Sequence, residues 1–332
     1  MCRVLKMYVV TQALANLGLI AVCGLGAGIL GGGLLGLGGA VILTPLLTIL
    51  LNLPIQYSAG ISLVSAISTS IMAGSRFLRM GLPNTKVFIA LSSAGTTGAI
   101  MGSLMAYHII NSGYNWILYL VFSGVMYMAM ALVARPKQHV VTALPVDVRD
   151  SYVVTGSYLD QALKVYVNYG IRRSNLLKAW GGVMLFGGVI SGLLGIGGGP
   201  INMLALYWAA EMPIKVASAT SNLIVGATAA TSGTLYWFFG YIQPFMAMAS
   251  VIGIVIGANI STHILPKARG GSTIKILLLS IFSYLAYRML LSGLKRGGGI
   301  FVLPTGIEYV TSFMVLIITL GILFALRKYI ND

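Results

Sequence analysis

Two stretches of this chain carry almost the same sequence: residues 33–39 read GLLGLGG and residues 192–199 read GLLGIGGG. Laid over one another without a gap, 14 of the 49 positions from Gly33 to Gly81 are identical to those from Gly192 to Gly240. The identical pairs include Pro54 with Pro213, Ser62 with Ser221, Thr69 with Thr228, Gly74 with Gly233 and Gly81 with Gly240. Spacing is kept across a glycine-rich turn, an apolar run, a proline and a helix of small residues. A chain built this way folds as two like halves, each opened by a glycine-broken apolar segment.

The runs around these motifs are apolar for about 20 residues at a time, long enough to cross a bilayer as helices. Only 8% of the residues are charged and 58% are hydrophobic. A soluble domain carries about 25% charge, so this chain cannot cover a water-facing surface. The expected fold is an all-α polytopic membrane protein. Its 42 glycines suit close helix contact in lipid. The net charge of +15 sits in a few inter-helix links, where a cytoplasmic excess of Lys and Arg explains it without nucleic acid. Cys2 and Cys23 offer neither a metal spacing nor a disulfide. The apolar run after Lys6 lacks a small-x-small cleavage site and reads as a retained first helix.

Along the chain, residues 12–134 form the first membrane half and 135–178 a basic linker. Residues 179–292 form the second half, and 303–327 an extra C-terminal helix without a partner in the first half. Within the linker a surface helix is expected near residues 158–169. The link 79–86 and the linker are both basic and lie on one side, the cytoplasm by the positive-inside rule. If each broken segment turns back, the halves are inverted. Lys267, Arg269, Lys275, Arg327 and Lys328 then join the cytoplasmic side, and Arg3, Lys6, Arg288, Lys295 and Arg296 the other. If each segment crosses once, the halves are parallel and the two groups exchange. Five charges stand against five. The inverted arrangement is preferred because it suits alternating access.

Gly36, Gly38 and Gly39, with Gly195, Gly197, Gly198 and Gly199 in the second half, permit backbone angles that branched residues refuse. A helix broken in the bilayer frees peptide N–H groups, and those at a half-helix start attract an anion. Gly199-Pro200 reads as such a start, and Asn202 just after it faces the interior. Ser62, Ser221 and Asn222 lie one to two turns into the following helices and could complete an anion cage, or bond one turn back instead. The alternative reading of the glycines is tight helix packing. Arg76 at a helix end and Glu211 beside Pro213 are the candidates for gating or coupling. Neither the histidines nor any nucleophile–base pair suggests a metal or enzyme site, and the chain has no Gly-rich phosphate loop ending in Lys-Ser/Thr.

The segments GILGGGLLGLGGAVILTPLL and GVISGLLGIGGGPINMLAL, each followed by a proline and a small-residue helix, resemble the sulfite exporter TauE/SafE family of permeases. The resemblance implies a plasma-membrane permease of about eight or more helices. It also implies substrates such as sulfite, sulfoacetate and similar sulfur-containing anions. The first motif departs from the pattern, with Ala40 where the second has a third glycine.

The expected function is secondary transport of a small sulfur oxyanion or organosulfonate out of the cytoplasm, driven by the membrane potential or by protons, with no cofactor. A passive anion channel, cation-coupled uptake and a non-transporting scaffold are the alternatives. Oligomeric state is left open.

Overall fold

The computed structural model describes residues 16–32, 39–134, 152–160, 165–264, 271–298 and 305–325. In the first half, α1 (Leu17–Ala27) passes through a π-turn (Gly28–Gly32) toward the first break, and α2 (Ala40–Leu50) leaves it. Then come α3 (Ile55–Arg79), α4 (Thr85–Asn111) and α5 (Asn115–Ala134). In the second half, α6 (Arg173–Lys178), a π segment (Ala179–Met184) and α7 (Leu185–Leu194) follow one another up to the second break. The apolar helix of this half therefore begins at Arg173, inside the expected linker. α8 (Gly199–Leu204) and a π-turn (Ala205–Ala209) lead away from the break. α9 (Ile214–Phe238), α10 (Pro244–Ile264) and α11 (Gly271–Arg296) complete the half, and α12 (Thr305–Ala325) follows. Among the described residues, four spans are long and apolar enough to cross a membrane: Ile55–Arg79, Thr85–Asn111, Arg173–Leu194 and Pro244–Ser261.

The duplication is visible in the backbone itself. Pro54 and Pro213 cap α3 and α9 with nearly the same angles, φ −55°, ψ 140° and φ −54°, ψ 137°. Two residues before each, Asn52 and Glu211 are left-handed at φ 50° and 54°. Gly81 and Gly240 end the same helices at φ 64° and 73°.

Equivalent helices run in opposite directions. Along α3 and α9, Gly74 abuts Leu223, Ser70 abuts Gly226 and Leu63 abuts Gly233, so one climbs as the other descends. Along α5 and α11, Ser123 donates to the Ala286 carbonyl at 2.8 Å while Trp116 meets Gly297. Partners drawn from opposite halves at non-equivalent positions run parallel instead. In α4 and α7, Gly95 meets Gly188, Gly102 meets Val189 and Ser103 meets Gly192. In α1 and α10, Gly24 meets Ser250, Gly28 meets Ala258 and Ile29 meets Gly257. A Cβ at several of these glycines would overlap a backbone carbonyl of the neighbour. Packing is thus the role of this second set of glycines, as in other small-residue membrane interfaces. The structure is a pair of interlocked, inverted repeats.

Each broken segment returns to the side it came from. α7 runs parallel to α4, yet α9 opens beside the start of α4, where the Asn84 N–H donates to Thr220 Oγ1 at 3.1 Å. The second segment is therefore re-entrant. α10 runs parallel to α3, with Ser65 and Ser250 sharing a hydrogen bond at 2.8 Å, so the end of α10 lies on the side of Arg79.

The linker departs from expectation. Instead of a helix over 158–169 there is an antiparallel hairpin, β1 (Tyr152–Asp160) with β2 (Val165–Arg172). Its pattern has period two: Val154 and Tyr158 on β1, and Tyr169 and Ile171 on β2, are buried, while Thr155, Ser157, Tyr166 and Asn168 are exposed. The buried face packs with Val87, Leu91, Leu206, Met212 and Val216. Asn84 ties it down. Its Oδ1 caps α4 by accepting from the Val87 N–H at 3.1 Å, and its Nδ2 donates to Tyr169 Oη at 3.0 Å.

Candidate substrate site

The second break is a buried loop of left-handed turns. Gly195, Gly197 and Gly198 hold φ of 69°, 71° and 73°, which only glycine adopts without strain. Gly195 ends α7 as its left-handed cap, and Gly198-Gly199-Pro200 starts α8 with no side chain capping it. Every residue from Gly195 to Pro200 is buried. The first bonds of α8 run from the Ile201 and Asn202 N–H groups to Gly198 O, at 3.1 and 2.9 Å, so the peptide N–H groups ahead of them have no partner within that helix.

Two side chains secure the loop through one carbonyl. Thr228 Oγ1 lies 2.9 Å from Gly197 O, its nearest acceptor, with Ile224 O of its own helix at 3.0 Å sharing the proton, and Asn202 Nδ2 reaches Gly197 O at 3.4 Å. Asn202 Oδ1 and Ser191 Oγ have no hydrogen-bond partner among the described residues, although both residues are fully buried. Ala59 of α3 lies against Gly195, and Ala66 against Gly197. Ser62 falls between them on the same helical stripe, so it faces the break. Its hydroxyl is buried and without a partner among the described residues.

The predicted residues thus divide into three groups. Gly195, Gly197, Gly198, Gly199, Asn202 and Ser62 come together at the second break. Ser221 is buried on α9, and Asn222 sits one side of it in the α3–α9 interface, where Ser70 Oγ donates to Asn222 O at 2.8 Å. Asn222 Nδ2 reaches Ser70 O at 3.4 Å, and its Oδ1 has no partner among the described residues. In the first half, Gly36 and Gly38 lie outside the described residues; Gly39 is buried against Ile254 and Ala27.

Arg76 lines a half-open cavity of about 410 Å³ between α3 and α10, with Arg79, Ser75 and Asn259 around it. Ala258 in its wall touches the backbone of Gly28, where the π-turn toward the first break begins. Glu211 stands exposed in the left-handed turn before Pro213, away from the glycines.

Aromatic side chains converge at the opposite end of α3. Tyr57, Tyr236, Phe239 and Tyr241 pack edge to face with centroids 5.9 to 6.4 Å apart, and Tyr107 stacks on Phe239 at 4.5 Å. Tyr236 Oη donates to Leu193 O at 3.2 Å, fixing this cluster to the approach to the second break. Neither the cluster nor Asn259 was foreseen from sequence. Aromatic residues at helix ends look like interfacial anchors, and only their convergence from α3, α4 and α9 reveals a plug. Thr228 was detectable, since it repeats Thr69.

Residues 20–289 match the family profile described as sulfite exporter TauE/SafE. The chain belongs to that family. As a TauE/SafE protein it is a multi-pass membrane transporter of the TauE-like anion exporter class and not an enzyme. The match covers both halves with both breaks and leaves α12 outside. Two proteins of Bacillus subtilis (strain 168) are similar to it. Probable membrane transporter protein YunE is 24% identical over 266 residues, 78% of this chain and 92% of its own. Probable membrane transporter protein YdhB is 22% identical over 239 residues, 71% of this chain and 86% of its own. No solved structure matches this TauE/SafE chain.

Proposed function

We propose that this protein exports a small sulfur-containing oxyanion, such as sulfite, sulfoacetate or a related organosulfonate, from the cytoplasm across the plasma membrane. The observation that carries the reading is the second break: a buried left-handed turn running directly into a helix start whose first peptide N–H groups have no partner within the helix. Such a concave row of donors favours a negative oxygen, and the peptide dipoles of the helix add to it. Hydrogen bonds to a charged group contribute roughly 1.5–3 kcal/mol each, so a few of them offset the loss of water around a single anionic charge. Ser62 and Asn202 supply further polar groups at the same place. By the sequence repeat, Gly36, Gly38 and Gly39, with Ser221, are assigned the corresponding half-site, in which Gly39 holds a right-handed φ of −65° where Gly198 is left-handed at 73°.

The side bearing the basic links is the cytoplasm. A cavity open beside the π-turn of the first segment on that side, with an aromatic cluster on the other, corresponds to an inward-facing state. Inverted repeats supply the outward-facing state by exchanging the conformations of the halves. Each negative charge leaving a negative interior gains about 2.3 kcal/mol per 100 mV, which drives export without a second ion. Glu211, in the exposed turn before Pro213, is the carboxylate assigned to proton coupling.

Efflux of radiolabelled sulfite or sulfoacetate from proteoliposomes tests the reading. Flux above empty vesicles is expected, abolished by Gly198→Val. Absence of flux for every oxyanion tried overturns it.

A further inference from the structure

The repeats share one backbone plan, so any chemical difference between equivalent positions marks a difference between the two sides of the membrane. The shift of 159 residues that superposes the glycine motifs also carries Arg76 onto Leu235, Arg79 onto Phe238 and Asn259 onto Ile100. Arg76 and Leu235 are both half-buried, and Arg79 and Phe238 both exposed, so the positions match while the chemistry does not. On the basic-link side these groups line the cavity of about 410 Å³ that abuts the π-turn of the first broken segment. On the other side the same places are apolar and adjoin the aromatic plug.

Two guanidinium groups at one cavity mouth suit an anion with several coplanar or tetrahedral oxygens, because each can give two parallel N–H bonds. Ser75 and Asn259 add neutral polar groups around the same space. Met72 lies one turn deeper along α3 than Arg76, so the charges stand between it and the entrance. We propose that Arg76 and Arg79 form a loading site for small oxyanions, present on the basic-link side only, that fills this symmetric frame from one side of the membrane. Its role in loading rests on the transport reading above; its capacity to hold an oxyanion does not. A lipid phosphate offers the same oxygens, and the test separates the two sources.

The full-length chain carrying Cys2→Ser, Cys23→Ser and Met72→Cys is reconstituted in zwitterionic liposomes. The new thiol is modified with sulfonatoethyl or trimethylammonioethyl methanethiosulfonate, reagents alike except in charge. The ratio of anionic to cationic rates is expected to fall by about tenfold in Arg76→Gln/Arg79→Gln and to be largely kept in Arg76→Lys/Arg79→Lys. Leu235→Gln/Phe238→Gln should leave it unchanged. Sulfoacetate should slow modification in the parent and not in the glutamine double variant, with or without added anionic lipid.

An unmoved ratio in the glutamine variant overturns the proposal. So does a ratio that tracks lipid composition while sulfoacetate fails to compete, which assigns the arginines to lipid phosphate. Protection by sulfoacetate in a protein that shows no oxyanion flux would uphold the binding site and defeat the transport reading instead.

Discussion

The Gly197 carbonyl is where the second break is held in shape, because Thr228 and Asn202 both point donors at it. Replacing Thr228 by Val keeps the volume and removes the shorter bond. The buried carbonyl then depends on a long contact to Asn202, which should cost about 1–2 kcal/mol. A lower melting temperature in detergent, together with reduced oxyanion flux, is the expected result. Glu211 offers a contrasting case. It holds a left-handed backbone at φ 54° where its equivalent is Asn52, a residue better suited to that conformation. Glu211→Asn should therefore stabilise the protein by about 0.5–1 kcal/mol. Retained flux across a proton gradient would show that Glu211 carries no proton, and lost gradient dependence would show that it does. The glycine turn could be read from sequence because glycine doublets repeated at one spacing have few other uses. Glu211 could not be placed that way. Nothing in its neighbours reveals that the chain turns away from the glycines before reaching it.

At the scale of elements, the apolar helices were easy to locate and the hairpin was not. Long runs bounded by Pro or Asn, such as Pro54 before α3 and Asn84 before α4, announce their starts. The linker's charges drew attention away from an alternation of Val, Tyr and Ile whose two strands meet between Asp160 and Val165. A helix drawn across 158–169 overlaps the end of β1 and most of β2. The hairpin's attachment is sensitive to alkali. Burial pushes the Tyr169 phenol above its ordinary value near 10, outweighing the opposing hydrogen bond from Asn84, with Tyr158 adding a smaller upward push. A folded value higher than the unfolded one means that the stabilisation is complete below about pH 10. It is lost as pH rises through the folded value. Proteolysis of the hairpin should accelerate above pH 10 in the parent. Tyr169→Phe should be more susceptible at neutral pH, through loss of the Asn84 bond, and show a smaller rise in alkali.

Across the whole molecule, charge counting failed to orient the halves, and packing explains why. Three of the five cations on the opposite side are engaged locally. Lys295 Nζ lies 3.1 Å from Glu308 Oε1, Arg288 sits 4.5 Å over the Tyr309 ring, and Arg296 sits 4.7 Å over the Tyr119 ring. These groups hold α12 and the end of α11 in place, so they are poor witnesses to which loops faced the cytoplasm during insertion. The antiparallel course of α3 against α9 and α5 against α11 settles the matter on other grounds. Single cysteines placed at Met80 and at Lys267 should therefore be labelled by an impermeant thiol reagent from the same side. A cysteine at Gly113 should be labelled from the other. Labelling of the Met80 and Lys267 positions from opposite sides would contradict the inverted arrangement.

The glycine ridges of α1 and α7 are each covered by a helix from the other half, α10 and α4 respectively. Neither half can therefore bury its own seam, and the covalent join between them adds nothing to that fit. A gene cut within codons 135–150 and expressed as two pieces should yield a complex that purifies together and retains activity. Either piece made alone should be cleared by cellular quality control.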